Sequence, residues 1–293
     1  QMLVFIDGFE APLDNLSSEE IESVSLLKDA AALALYGSRG ANGVLLITTK
    51  KGFHSSPKIG FRIQTGLQMP TIMDTPMDAY QYASLYNQAL INDGKAPIYS
   101  SDALAAYQSG TNGYLYPNVN WKKQLYKNTA PLTMGELSFR GGGGGLNYYV
   151  MAGLMQNGGI YRGTDSKARE NANVDYARYN FRANLDVDIT RYFRASLYSA
   201  VSFAERTTPG GGGAGDYLNS IWTTPPNAFP IYNPNGSIGG TSLYTNPVAN
   251  LLNRGLYKEN SRFVQVIFGL QYDFSALVRG LSGKVMFGYH NFM

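Results

Sequence analysis

The stretch YNFRANLDVDI, residues 179–189, alternates strictly between apolar and polar side chains. Its odd-numbered positions are apolar, and the positions between them are all polar or charged: Asn180, Arg182, Asn184, Asp186 and Asp188. Successive side chains of a β-strand point to opposite faces of the sheet, so a period of two predicts a strand. This strand has one wholly apolar face and one wholly polar face.

The same alternation recurs in seven segments of the chain: 58–68, 133–140, 146–155, 178–189, 192–206, 261–274 and a last one from about residue 281 to the end. Strands of soluble proteins average about 5–6 residues. A strand that crosses a lipid bilayer needs roughly 9–11 residues. Most of the seven segments reach the second length, which favours a membrane setting.

The connections between the seven segments are long and short in strict alternation. The long ones cover 69–132, 157–177 and 207–260, and each short one is a few residues. An antiparallel meander with this rhythm gathers the long loops at one end of the strands and the short turns at the other. Transmembrane β-barrels have this arrangement, with an apolar outer face and a wet interior. The pattern predicts a transmembrane antiparallel β-barrel; a soluble β-sandwich or β-propeller is the alternative for the alternation alone.

The first 52 residues do not follow the pattern and predict a small α+β unit. We expect strands over 3–6, 24–28 and 44–49, a helix start at 17–20 and a helix over 30–36. The glycine-rich segment 37–43 lies between a helix and a strand, whereas a phosphate-binding loop runs from a strand into a helix. It is therefore predicted to be a structural turn.

Composition excludes several classes of function. The formal net charge is +3 and only 15% of residues are charged, which gives no support to a nucleic-acid partner. The chain has no cysteine and two distant histidines, so it predicts no disulfide, no metal site and no cofactor. No catalytic group of side chains is recognisable, and we predict a protein that is not an enzyme.

Eight motifs distributed along the chain are informative together. Those in the first unit are VFIDG (4–8), IESVSLLKDA (21–30) and YGSRGANGVLLITTKKG (36–52). Those that follow are MDAYQYASLYN (77–87), LYPNVNW (115–121), NGGIY (157–161), YNFR (179–182) and TTPP (223–226). At these motifs the sequence resembles the SusC/RagA family of TonB-dependent outer-membrane transporters, and the resemblance covers essentially the whole chain.

The resemblance implies a barrel of about 22 strands with a plug domain folded inside. Residues 1–52 would be the C-terminal part of the plug, and residues 53–293 the first seven or so barrel strands. The implied function is TonB-dependent import of oligosaccharides or peptides across the Gram-negative outer membrane. The implied partners are a SusD-like lipoprotein lid, the TonB–ExbB–ExbD system and outer-membrane lipid. The TonB box and most of the barrel are expected to lie outside this chain.

Two groups of side chains are candidates for contact with a substrate. The polar face of 178–189 presents Arg182, Asn184, Asp186 and Asp188, which would line the substrate path or hydrogen-bond the plug. In the loop 207–260, aromatic rings and amides suit sugar recognition and equally suit packing within the loop or contact with the lid: Tyr217, Trp222, Tyr232 and Asn233.

A latch within the plug is a further hypothesis. Arg39 is predicted to form a buried ion pair with Glu22, which would have to break when the plug shifts. Two other functions stay open at this point, a passive porin or adhesin and a structural subunit of a larger outer-membrane complex.

Overall fold

The computed structural model describes residues 2–28, 36–70, 74–162, 173–210 and 214–293. These residues form one four-stranded sheet and one seven-stranded sheet. The helix predicted over 30–36 lies, except for Tyr36, outside the described residues.

The four-stranded sheet is built by the first part of the chain. Its strands are β1 (Leu3–Ile6), β2 (Phe9–Glu10), β3 (Ile21–Leu27) and β4 (Val44–Thr49), in the order β2-β1-β4-β3. β1 runs parallel to β4, and the other two pairings are antiparallel. Single 3-10 turns stand at Leu13–Asn15 and Ser18–Glu20, and a longer one at Gly37–Asn42. The predicted helix start at 17–20 is therefore only one turn, because β3 follows at once. We call residues 2–28 and 36–52 the small-sheet unit.

The seven-stranded sheet is an antiparallel meander whose strands follow one another in chain order. They are β5 (Ser55–Gln68), β6 (Ala130–Gly143), β7 (Leu146–Asn157), β8 (Asp175–Asp188), β9 (Phe193–Pro209), β10 (Leu256–Asp273) and β11 (Ser282–Phe292). All seven predicted strands are confirmed, and most of them extend past the predicted bounds. Short turns at 144–145, 189–192 and 274–281 alternate with long connections, so one end of the sheet is the long-loop end.

The two faces of the large sheet differ as the alternation predicts. Apolar side chains are exposed on one face and polar side chains are buried on the other, which is the reverse of the distribution in a sheet of a soluble protein. Phe181 on β8 is 47% exposed and lies opposite Val201 of β9, which is 40% exposed. Arg182 and Asn184, on the other face of β8, are 3% and 0% exposed. Water would disfavour such a surface, since burying one large apolar side chain is favourable by about 1.5–3 kcal/mol.

The three long connections fold together into a compact cap. Their helices are α1 (Ala79–Asn92), α2 (Ser101–Ser109), α3 (Trp121–Leu125), α4 (Ala214–Thr223) and α5 (Pro247–Asn253). Residues from all three connections share one buried apolar cluster, which we call the loop core: Trp121, Leu125, Tyr126, Tyr161, Tyr217, Ile221, Phe229 and Leu251. No helix in the described part of the chain has the length and apolar character needed to cross a membrane.

Candidate functional site: the inner face of the large sheet

The inner face of β8 is a polar contact surface for the small-sheet unit. Asn180, Arg182 and Asn184 lie two residues apart along one extended strand, so all three side chains point to the same side. All three are buried, at 7%, 3% and 0% exposure. Burial of polar groups is favourable only when each finds a partner, and the partners here come from the small-sheet unit.

Arg182 forms the centre of a buried charge cluster. Its Nε donates to the Glu20 carboxylate, and its Nη1 lies 3.7 Å from Oδ2 of Asp7. The side chains of Arg182, Glu20 and Asp7 are 4%, 2% and 1% exposed. In such a desolvated site the loss of one partner leaves an uncompensated charge, which destabilises far more than the loss of a surface ion pair.

The amides on either side of Arg182 complete the contact. Asn184 Nδ2 donates to Thr49 Oγ1 and to the Lys50 carbonyl, both at 2.8 Å. Thr49 Oγ1 in turn donates to Asp7 Oδ2 at 2.6 Å, which joins this bond to the charge cluster. Asn180 Nδ2 donates to the Asn15 carbonyl at 2.8 Å and to Glu20 Oε1 at 3.1 Å. The middle of β8 thus holds the small-sheet unit by one connected polar network.

Asp186 and Asp188 lie nearer the short-turn end and are held by neighbours on β9. Asp186 Oδ1 accepts hydrogen bonds from Ser196 Oγ at 2.6 Å and from the Tyr198 hydroxyl at 2.9 Å. Asp188 Oδ1 accepts from Arg194 Nε at 2.6 Å. Both carboxylates therefore serve the wall of the sheet in this structure. Their predicted role on a substrate path stays a prediction.

The segment between the two sheets lies directly on the wall. Lys51 Nζ donates to the Tyr198 hydroxyl at 2.9 Å, and Arg140 Nε donates to the Lys51 carbonyl at 2.5 Å. A Cβ on Gly52 would collide with the backbone of Tyr148, so only glycine lets the chain pass this close to β7. The small-sheet unit is thereby joined to β5 along the inner wall, towards the short-turn end.

The predicted pairing of Arg39 with Glu22 is wrong. Arg39 Nη2 lies 2.7 Å from Glu10 Oε2, and both side chains are at least half exposed. Glu22 pairs instead with Arg140 of β6, at 3.1 Å between Oε2 and Nη2. An exposed pair of this kind contributes only about 0–1 kcal/mol, so Arg39 does not form the buried latch that was predicted.

The four candidates in the loop 207–260 separate into two groups. Tyr217 is buried in the loop core and its hydroxyl donates to the Gly210 carbonyl at 2.5 Å, which removes it as a ligand contact. The Asn233 side chain stabilises a local turn, since its Nδ2 donates to Ser237 Oγ at 2.9 Å. Trp222 and Tyr232 are 47% and 50% exposed and stay available for a ligand or a partner.

Two cavities lie on the inner face above the small-sheet unit. The upper cavity, of about 760 Å³, lies at the long-loop end between the wall and the loop core. The lower cavity, of about 450 Å³, has Pro12 and Asn15 of the small-sheet unit in its lining. Tyr176 of β8 and Arg206 of β9 line both. Within the described ranges, no group of three or more acidic or histidine side chains is suited to hold a metal ion.

Sequence reasoning missed several of these residues. Asp7, Glu20 and Thr49 supply the partners of β8, yet they lie in a unit whose orientation the sequence does not give. Tyr176 and Arg206 carry a detectable signal, because they share the even-numbered inward face of β8 and β9 with Arg182 and Ala200.

The chain is similar in sequence to several TonB-dependent receptors. No protein-family model matches the chain. TonB-dependent receptor P3 of Formosa agariphila is 30% identical over 298 residues, covering 98% of this chain and 26% of the relative. TonB-dependent receptor P26 of the same organism is 29% identical over 252 residues, covering 83% and 23%. TonB-dependent receptor SusC of Bacteroides thetaiotaomicron is 30% identical over 189 residues, covering 64% and 17%. The chain spans about a quarter of the length of the first two relatives.

Among solved structures, the structure of the RagAB peptide transporter matches with a TM-score of 0.70 at 24% identity. The match covers 98% of this chain and 34% of that chain. A second structure, of the RagAB peptide importer in a closed-closed state, matches with a TM-score of 0.69 at 23% identity. The small mixed sheet together with the seven-stranded antiparallel sheet is therefore a fold shared with that protein.

Proposed function

This chain belongs to the SusC/RagA type of TonB-dependent receptors, and from that premise we propose that the complete protein actively imports large nutrients across the outer membrane. The nutrients are oligosaccharides or peptides. In this proposal the large sheet is part of a closed transmembrane barrel, and the small-sheet unit is the C-terminal part of the plug inside it. A SusD-like lipoprotein closes the long-loop end, and TonB supplies the energy.

The observation that carries this proposal is the reversed distribution of side chains on the large sheet. Its outward face is apolar and exposed along all seven strands, as a lipid-facing wall requires. Representative residues from five of these strands are Phe61, Phe139, Phe181, Phe268 and Phe287. On β8 the inward face is polar and buried against the small-sheet unit, while Phe263 of β10 shares a buried apolar cluster with Ile6, Leu16 and Ile47 of that unit. A soluble sheet would bury the phenylalanines and expose the arginine.

The contact between wall and small-sheet unit supports a plug that can be released. The network of Arg182, Glu20, Asp7 and Thr49 is made of hydrogen bonds and ion pairs, for which water can substitute when the surfaces separate. An apolar interface of the same size would lose its hydrophobic stabilisation without such replacement. The latch of this proposal is thus the Arg182 cluster, in place of the Arg39 pair.

The test uses the full-length protein in its own outer membrane. Uptake of labelled oligosaccharide and peptide mixtures is compared between the parent strain, a strain without this protein and a strain without TonB. We expect uptake to fall to background in both deletion strains, and we expect a surface lipoprotein to co-purify with the tagged receptor.

Three outcomes would point elsewhere. Ion conductance or uptake that persists without TonB would identify a passive porin or an adhesin. Unchanged uptake in the strain without this protein, combined with loss of a larger outer-membrane complex, would identify a structural subunit. A clean monomer in mild detergent would remove the lipoprotein partner.

A further inference from the structure

Four inward-facing side chains form one continuous rung across the large sheet near its long-loop end. In the strand register Asn157 of β7 lies opposite Tyr176 of β8, Tyr176 opposite Arg206 of β9, and Arg206 opposite Glu259 of β10. Directly opposed residues of antiparallel strands have Cβ atoms about 4.5–5.5 Å apart. The rung therefore presents an amide, a phenol, a guanidinium and a carboxylate in an unbroken row.

The rung stands between the two cavities. Arg206 is four residues along β9 from Ser202, the residue opposite Asn180. Four residues of strand span about 13 Å, so the rung lies that far above the polar contact with the small-sheet unit. A molecule that moves from the loops towards the small-sheet unit passes Tyr176 and Arg206, because both line the upper and the lower cavity.

The upper cavity is mostly apolar with a single charge. Its apolar lining is partly aliphatic, from Pro70, Ile160, Val174 and Leu218, and partly aromatic, from Tyr126, Tyr161 and Tyr176. Trp222 follows Leu218 by four residues on α4 and so lies on the same helix face. Arg206 is the one charged side chain among the described residues of the lining, with Gln68 and Asn157 as side-chain amides.

We propose that this rung is a substrate-binding station that selects peptides carrying a carboxylate, with Arg206 as the residue that binds it. The inference rests on the proposed import function and names the substrate class of the same pathway. A guanidinium matches a carboxylate with two parallel hydrogen bonds. Side-chain amides can both donate to and accept from peptide groups. The aliphatic part of the wall suits apolar peptide side chains.

Glu259 is expected to oppose the binding of a carboxylate at Arg206. It is exposed, lies beside Arg206 on the rung and lines only the lower cavity. A carboxylate held by Arg206 is repelled by this second carboxylate. Neutralising Glu259 must therefore strengthen the binding of an acidic ligand, whereas neutralising Arg206 must weaken it.

The experiment measures binding by calorimetry to the full-length receptor in detergent. The probes are an N-acetylated pentapeptide of alternating leucine and serine with a free C-terminal carboxylate, its C-terminal amide, a uronic-acid tetrasaccharide and a neutral tetrasaccharide. The variants are Arg206→Gln, Arg206→Lys and Glu259→Gln. The matched control is Arg191→Gln, which removes the same charge at an exposed position at the short-turn end.

We expect the free-acid peptide to bind about tenfold or more tightly than the amide, as a charge-assisted hydrogen bond implies. Arg206→Gln should abolish that difference, Arg206→Lys should retain part of it, and Arg191→Gln should leave it intact. Glu259→Gln should tighten binding of the free acid about two- to fivefold, the size of an exposed charge pair.

Several results would overturn the proposal. They are equal binding of acid and amide, a difference that survives in Arg206→Gln, tighter binding of the uronic-acid tetrasaccharide than of either peptide, and no binding of any probe. TonB-independent uptake would overturn the import function without changing these binding results, so the two failures are distinguishable.

Discussion

Two buried regions of this molecule differ in the polarity of their side chains. The contact between β8 and the small-sheet unit is polar throughout, with Arg182, Glu20 and Asp7 nearly inaccessible to water. The loop core, at the long-loop end of the same sheet, is apolar, with Trp121 and Leu125 fully buried. The first region joins two separate sheets, and the second joins three loops to one another.

The difference indicates which region is made to separate. Hydrogen bonds and ion pairs exchange for bonds to water with a small net change in free energy. Apolar contacts are not replaced by comparable contacts with water, so separating an apolar region loses its hydrophobic stabilisation. We expect the loop core to behave as a permanent cap and the β8 contact as a reversible one.

The largest expected effect comes from Arg182→Ala, which leaves the carboxylates of Glu20 and Asp7 buried without their cation. Removing one partner of a buried pair is destabilising by about 3–5 kcal/mol. Hydrogen exchange of the backbone amides of β1 and β4 in the full-length protein measures this loss as faster exchange. The control is Arg39→Ala, which removes an exposed arginine of the same unit. Equal exchange rates in the two variants would show that the Arg182 cluster does not hold the unit.

The second substitution, Leu125→Ala, tests the loop core. It opens a cavity in the loop core, and substitutions of this type lower stability by about 2–5 kcal/mol. We expect faster hydrogen exchange in α3 and α5, with unchanged exchange in β1 and β4. Leu115→Ala, at an exposed position of the same connection, is the control. Faster exchange in the small-sheet unit as well would contradict the independence of the two regions.

Phe181→Lys tests the outward face behind the polar contact. A lysine facing lipid near the middle of the bilayer lowers the stability of a membrane barrel by about 2–4 kcal/mol. Urea unfolding of the full-length protein in phospholipid vesicles gives this difference. Leu243→Lys, at a loop position that is 83% exposed, should change nothing. A lysine tolerated equally at both positions would mean that Phe181 faces water.

The smallest effect concerns the stability of the loop core at alkaline pH. Burial raises the pKa of the Tyr126 and Tyr161 phenols above the ordinary value of about 10. The unfolded phenols then lose their protons first, so the stability of the loop core is constant below about pH 10 and falls as the pH rises further. Tyrosinate absorbance and hydrogen exchange of α3 measure the fall, and Tyr161→Phe should make it shallower.

The sequence predicts the large sheet well because one apolar face and one polar face impose a period of two on its strands. All seven strands appear where alternation places them, and Arg182 and Asn184 face inward as expected. The alternation does not indicate which residues pack against the polar face of the sheet. The partners Glu20 and Asp7 therefore emerge only when the small-sheet unit is seen docked.

One wrong prediction and one open choice depend on tertiary packing. Glu22 was the predicted partner of Arg39, whereas the fold of the small-sheet unit brings Glu10 of β2 next to Arg39. For Tyr217 the sequence left ligand contact, lid contact and loop packing open, and α4 places Tyr217 and Ile221 together on the face that packs into the loop core. Tertiary proximity decides both cases, and the sequence alone does not show which groups come together.

The close passage of Gly52 against the backbone of Tyr148 has a mechanical consequence. It fastens one corner of the small-sheet unit to the wall by the main chain itself, at the start of β5. A force applied elsewhere on the unit would therefore rotate it about this contact, which follows β4 in the chain. β2 lies two strands from β4 in the sheet order, so we expect the edge formed by β2 to move further than β4 and to separate from the wall before it.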